Sequence, residues 1–389
     1  MAQLHLCGHK GRVFGLGWRP VREGESRRVL ASASEDQSVI LWHVDGAGTH
    51  APSHRRAHTL RDCHTSEVLR CAWSPDGRLL ATGGADGVAC LFSVPDGDEE
   101  EGAPRLELRT VCSGDASGGA EAATAARGQG MAGGASGSGD AGEGVLGSSA
   151  AGEEEDEQIY GLEFDVSGVR LLVAAGSRLR AFDLGAGAWS FETDVNGADG
   201  GGHVFGGERN KAGEAFIFDL AQSGDGQVLA LACSTGMAYV LDARLKMDAP
   251  TSALTIEVCS GDYVSALAFP KLSEPLLFTA TGSGACVLWD LRKANTPLFN
   301  CTAHAGTAYG CCALAGGRVA SIGKDRQLIV HDVARLLNSA LCQRPTASDV
   351  CDELGLKSEL GGGGPAGSAR ALVLPDRGLC CAGQGRLLA

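Results

Sequence analysis

Apolar residues come along this chain in short runs, separated by clusters of Gly, Asp, Ser and Pro. The stretch Leu30 to Val44, LASASEDQSVILWHV, is the clearest sample: an apolar run, an acidic turn, a second apolar run, and Trp42 six positions after Asp36. Runs this short, punctuated by turn residues, predict β-strands; an amphipathic helix needs apolar positions recurring every three or four residues over a longer window. The unit recurs. Cys63 to Val94, CHTSEVLRCAWSPDGRLLATGGADGVACLFSV, has an apolar strand, a Pro-Asp-Gly turn, a second strand, Asp86, and Phe92 six positions later. Weaker copies end at Phe182-Asp183, Leu241-Asp242, Trp289-Asp290 and His331-Asp332. Each reads as strand, turn, strand, turn, strand, usually with a fourth candidate behind it, such as AWSFETDV after the third copy and LTIEV after the fourth. Repetition of this kind predicts an all-β fold of four-stranded blades set radially.

These copies resemble the WD40 repeat family. Gly8-His9 opens the first copy, Asp36 occupies its tight turn, and Trp42-His43 stands where the family has its Trp-Asp pair. Trp289-Asp290 is the literal dipeptide, and His64 and His304 match the family's histidine without its glycine. The resemblance covers nearly the whole chain outside one long insertion, and it implies a WD40 β-propeller of about seven four-stranded blades. Blades are expected near 8–62, 63–94, 158–195, 214–258, 261–301, 304–345 and 368–389. The last has only three strand candidates, so residues 2–7 are expected to supply its fourth and close the ring, removing exposed sheet edges. An open or six-bladed ring is the alternative.

The repeating polar residues have a structural reading. Histidine before the first strand, a strand serine or threonine, the turn aspartate and the strand tryptophan can each satisfy the next buried polar group. Copy one offers His9, Ser32 or Ser34, Asp36 and Trp42; copy two offers His64 and Asp86; copy six offers His304, Ser321 and Asp325, with His331 in place of tryptophan. Copies three, four and five carry Gly176, Thr235 and Ser283 where the aspartate would stand, so those blades are expected to lean on apolar packing. Because the spacing follows the repeat, these side chains are expected to hold the fold and not to catalyse or bind metal.

Composition sharpens the exclusions. The chain has 389 residues, 44% of them hydrophobic, enough for a large core. Its net charge of -14, with no basic patch visible along the sequence, argues against direct nucleic-acid binding and against anionic lipid. The start, MAQLHLCGHKGRV, has no long apolar run behind a basic end, and no later window is apolar enough to span a bilayer, so a cytoplasmic or nuclear chain is expected. The 15 cysteines are scattered without Cys-x-x-Cys spacing and read as buried free thiols. Residues 95–157 hold acidic clusters around a Gly/Ala/Ser tract and read as a disordered insertion. Within it, GSGDAG at Gly137 to Gly142 formally matches a dinucleotide fingerprint, but no apolar strand precedes it and no helix follows.

No catalytic constellation stands out, and no cofactor, metal or small-molecule substrate is expected. The resemblance implies instead a non-enzymatic scaffold for other proteins, with Arg12, Glu35, Glu67, Tyr263 and Lys324 as anchors by analogy. LFTATGSGACVLWDLR, Leu277 to Arg292, also looks like the motif by which some WD40 proteins dock onto the propeller adaptor of a cullin-RING ubiquitin ligase. Trp289 would pack, Asp290 would orient the loop and Arg292 would project; Ser283 departs from that motif, which expects an acid there. A substrate receptor of such a ligase is therefore one alternative. A second is a histone or basic-peptide binder using acidic loops such as Glu153 to Glu157.

Overall fold

Turn chemistry and short apolar runs give strands throughout. The structure, a computed structural model, describes residues 3–21, 28–45, 53–95, 103–111, 158–195, 215–243, 252–340, 358–359, 369–372, 379–381 and 387–388. After β1 (Gln3–Leu6), blade one is β2 (Val13–Trp18), β3 (Arg28–Ser34), β4 (Val39–Asp45) and β5 (Ser53–Leu60). Blade two is β6 (Val68–Trp73), β7 (Leu79–Gly84), β8 (Val88–Ser93) and β9 (Arg105–Val111). Blade three follows with β10 (Ile159–Phe164), β11 (Arg170–Ala175), β12 (Arg178–Asp183) and β13 (Ala188–Asp194). Blade four holds β14 (Ile217–Gln222), β15 (Val228–Cys233), β16 (Met237–Asp242) and β17 (Ser252–Glu257). Blade five holds β18 (Val264–Ala268), β19 (Leu276–Thr281), β20 (Ala285–Asp290) and β21 (Phe299–Thr302). Blade six has β22 (Ala308–Leu314), β23 (Arg318–Gly323) and β24 (Gln327–Asp332), then α1 (Val333–Ala340) and β25 (Ser358–Glu359). Within each blade the strands lie antiparallel in chain order, and the first strands of successive blades pack against one another around the axis.

Burial follows this radial plan. The second strands are buried almost throughout, as in β3 and β19, because blades cover both of their faces. They are accordingly rich in small and apolar residues. Outer strands are wetter: Ser53 to Arg56 of β5 are exposed. Successive side chains of one strand enter different cores, as a strand's period of two requires. Val39 and Leu41 of β4 join Cys90 and Phe92 of blade two, while Ile40, Trp42 and Val44 pack with Leu6, Leu16 and Trp18. Every inner strand also carries a register shift near its start, at Val13/Gly15, Val68/Arg70, Ile159/Gly161, Ile217/Asp219, Val264/Ala266 and Ala308/Gly310. Such a bulge sharpens local twist and re-aims one side chain.

Two expectations need correction. The fold is an all-β propeller of six blades built on the repeat, and it is not closed into a ring by a seventh such blade. The strands beyond blade six, β26 (Ala369–Leu372), β27 (Leu379–Cys381) and β28 (Leu387–Leu388), have four, three and two residues. The N-terminal strand β1 pairs with β26, the first of them, where a closing blade would need it beside the last. Runs this short cannot reproduce the buried second and third strands of a repeat blade. The second correction concerns the expected insertion at 95–157. Arg105–Val111 lies inside it, yet forms β9, the outer strand of blade two, paired with β8. Residues 112–157 and the Gly-rich stretch 196–213 lie outside the described residues. Among the described residues, no helix is long and apolar enough to cross a membrane.

Candidate functional site

The turn between the second and third strands of blade one brings Asp36 back to the loop that leads into the first. His9 Nδ1 lies 3.1 Å from both Asp36 carboxylate oxygens, and His9 Nε2 lies 2.7 Å from Ser32 Oγ. Trp42 donates its indole N–H to the same Ser32 oxygen at 2.8 Å. Ser34 sits outside this chain and accepts the Asp36 N–H instead. Asp36 further accepts from the Lys10 N–H at 2.8 Å and from the Ser38 hydroxyl at 2.5 Å. Burial alone would raise the Asp36 pKa, but the hydrogen bonds from Ser38, Lys10 and His9 outweigh it and hold it down to about 2. Burial lowers His9 despite its carboxylate neighbour, so the imidazole is neutral near pH 7. One proton order satisfies every group: indole N–H to serine oxygen, serine O–H to His9 Nε2, His9 Nδ1–H to Asp36. Gly8 is required by the same packing, since a Cβ there would lie 2.7 Å from the Trp42 ring.

The other blades vary this arrangement. In blade two, His64 contacts Asp86 at 3.1 Å and Thr82 Oγ1 at 2.8 Å, where the chain stops because Phe92 has no N–H. In blade six, His304 lies 3.0 Å from Asp325 and 2.9 Å from Ser321 Oγ, and His331 Nε2 completes the chain at 2.9 Å from that oxygen. Burial, with His304 close by, holds His331 down to about 3, so a neutral ring supplies the N–H that tryptophan supplies in blade one. Blade five keeps only Trp289 on Thr279, at 3.2 Å. There the acid has moved: Asp262, in the loop before β18, accepts the Ser283 N–H of the turn at 2.7 Å. His331 takes the place that the sequence marks for tryptophan, whereas the repeat pattern alone does not single out Thr82, Thr279 or Asp262; aligning the strand serine of copies one and six onto the others finds both threonines.

Arg12 and Glu35 come together, with the Arg12 N–H on the Glu35 carboxylate at 2.8 Å and the guanidinium at 3.8 Å. Glu67 precedes β6 and its carbonyl accepts from the turn residue Ala85. Tyr263 stands edge-on to Phe218 at 5.5 Å, and Lys324 donates its backbone N–H to Thr307. All five lie on the face of the propeller that holds the turn aspartates. Arg292 does not join them, because it follows the third strand of blade five and the chain there has crossed to the opposite face. It grips Asp290 through Nε at 2.9 Å and a terminal nitrogen at 2.8 Å while its side chain stays 61% exposed. That pairing holds the Asp290 carboxyl below its usual range.

Two further clusters were invisible in the sequence. Arg70 of β6 donates to the backbone carbonyls of Tyr160 and Phe218 and to Asp219 at 2.7 Å, and Asp219 accepts the Leu267 N–H at 3.0 Å. One side chain therefore ties the inner strands of blades two, three and four, and Asp219 adds blade five. Glu163 lies near this pair, and burial, then Asp219, raises its carboxyl to about 8. The second sets exposed Arg55 and Arg109, remote in sequence, on facing sides of blades one and two.

Residues 55–93, which run from β5 through β8, match the family model described as WD40, the WD domain or G-beta repeat. That stretch is a WD40 repeat. The chain is 37% identical over 95 residues to the "Probable cytosolic iron-sulfur protein assembly protein Ciao1" of Culex quinquefasciatus, covering 24% of itself and 25% of that protein. It is 40% identical over 90 residues to "Protein CIA1" of Arabidopsis thaliana, covering 22% and 24%. It is 32% identical over 97 residues to the "Guanine nucleotide-binding protein subunit beta" of Arabidopsis thaliana, covering 25% and 22%. The chain thus matches about a quarter of the length of these curated relatives.

Proposed function

We propose that this WD40 protein joins two different partners, one on each face, within a multiprotein complex. The observation that carries this reading is the separation of its charged anchors. Arg12 with Glu35, Glu67, Tyr263 and Lys324 sit on the face of the turn aspartates, and the Asp290-held Arg292 sits on the other. A fixed, exposed guanidinium loses little entropy on meeting a partner, and arginine is among the residues that dominate interface energies. The relatives' names, an assembly protein and a subunit, agree with a scaffold and point to no single process. The test is quantitative mass spectrometry of proteins co-purifying with tagged wild-type chain, an Arg292→Asp variant and a Glu35→Lys/Lys324→Glu variant, each verified as folded. The two variants are expected to lose non-overlapping sets. Loss of the same set, or of none, contradicts the two-faced scaffold.

A second reading has its own observation. The bidentate grip of Asp290 on Arg292, at the end of a strand carrying Trp289, supports docking on the adaptor of a cullin-RING ubiquitin ligase. In that case the adaptor is in the set lost by Arg292→Asp, and its absence from the wild-type set removes this reading. No contact among the described residues favours histone or basic-peptide binding.

A further inference from the structure

A third surface lies on the rim, away from both faces. Its walls are the outer strands of blades one and two, and register places their side chains. Leu60 and Leu41 belong to the core shared by these blades, and His58 stands opposite Leu41. Arg55 stands opposite His43, whose other neighbour across the sheet, Val29, lies in that same core. From the far side, Arg109 stands opposite Cys90, and Leu106 opposite Phe92, both again of the shared core. Arg55, His58, Arg109 and Leu106 therefore face one groove between the two blades. Arg55 is close enough to lower the pKa of His58, after burial, and Arg109 acts on the Cys90 thiol.

The charge of this groove runs against that of the molecule, whose net charge is -14. β5 contains no acidic residue, and the one acid of β9, Glu107, accepts the Ser93 hydroxyl at 2.5 Å. Among the described residues, Arg55 and Arg109 form no ion pair, and Leu106 is 37% exposed. β5 and β9 are also the last strands of their sheets, and among the described residues no further strand pairs with their outer edges.

We propose that this groove binds an extended acidic peptide segment with an apolar side chain among its acids. Carboxylates pair with Arg55 and Arg109, the apolar group covers Leu106, and the peptide backbone meets an open strand edge, a recurring mode of peptide capture. A nucleic acid fits less well, because its long charged backbone would also meet the acidic remainder of the surface.

The test is fluorescence anisotropy of a fluorescein-labelled glutamate-rich peptide with a central leucine, titrated with full-length protein at low and moderate salt. Wild type is expected to bind, and to bind less tightly as salt rises. Arg55→Glu/Arg109→Glu, with an unchanged thermal midpoint, is expected to weaken binding by about tenfold or more, and Arg55→Lys/Arg109→Lys by less. A lysine-rich peptide of the same design is expected not to bind. Absence of binding by wild type, equal binding by the charge-reversed variant, or tighter binding of a single-stranded oligonucleotide at the same groove would each overturn the proposal.

Discussion

At the scale of single residues, the hydrogen-bonded chain of blade one sets a graded expectation. Asp36 accepts from His9, Lys10 and Ser38, so Asp36→Ala strands several donors at once and should cost about 2–4 kcal/mol. Trp42→Ala removes a buried ring and the donor to Ser32 and should cost about 3–5 kcal/mol. Urea titration of each variant against wild type reads both; unchanged midpoints would mean that this chain does not hold the blade. His331 gives a pH signature. Its folded pKa of about 3 is below the ordinary histidine value near 6.5, so between those values the unfolded chain binds more protons than the folded one. Its contribution is therefore complete above pH 6.5 and drains as pH falls toward 3, by up to about 1.4 kcal/mol per pH unit. His9 and His304 are lowered as well and act in the same direction. His331→Gln, which keeps a donor without the titration, should flatten stability measured between pH 7 and pH 5. Glu163 has the opposite sign: its raised pKa means stability lost as pH rises toward 8, so Glu163→Gln should gain on the order of 1 kcal/mol at pH 8 and less at pH 5.

At the scale of the strand, legibility divides cleanly. The hairpins around Asp36 and Asp86 could be read directly, because a tight turn leaves its residue types in the sequence and a strand leaves its period. The inner-strand bulges could not. Phe14, Leu69, Tyr160, Phe218, Ser265 and Tyr309 each sit at a register shift in a strand too short for one slip to stand out from ordinary alternation. β9 reads as part of the insertion because RLELRTV alternates charged residues with few apolar ones, a pattern an outer strand tolerates. Arg70 looked like one more strand residue, because its partners lie in blades three and four. The Asp262 substitute was hidden for a related reason: the repeat fixes where an acid is expected, and this one reaches the same turn from the preceding loop. Arg70→Met should leave the outer strands intact while speeding amide hydrogen exchange in β10 and β14, whose carbonyls it holds. Uniform acceleration across all blades would instead indicate general destabilisation.

At the scale of the whole molecule, a propeller not closed by a seventh repeat blade has ends. Blades two to five share the Arg70 and Asp219 ties and have repeat blades on both sides. Blades one and six have one such neighbour each. Protection from hydrogen exchange should therefore be greatest in the inner strands of blades two to five and fall toward blades one and six; an even profile would mean that the short sheet of β1 with β26 to β28 supports its neighbours as well as a blade does. The variation among the blades' polar chains has a bearing on how the molecule is made. Near-identical units in tandem invite exchange during folding, with one unit docking where another belongs. Here one blade ends its proton chain on an indole, another stops at a threonine, a third brings its acid from the loop before its first strand, and a fourth closes on a second imidazole. A strand that docks in a neighbour's place finds the wrong donor waiting, and those irregularities can thus act as addresses that sort the units into order.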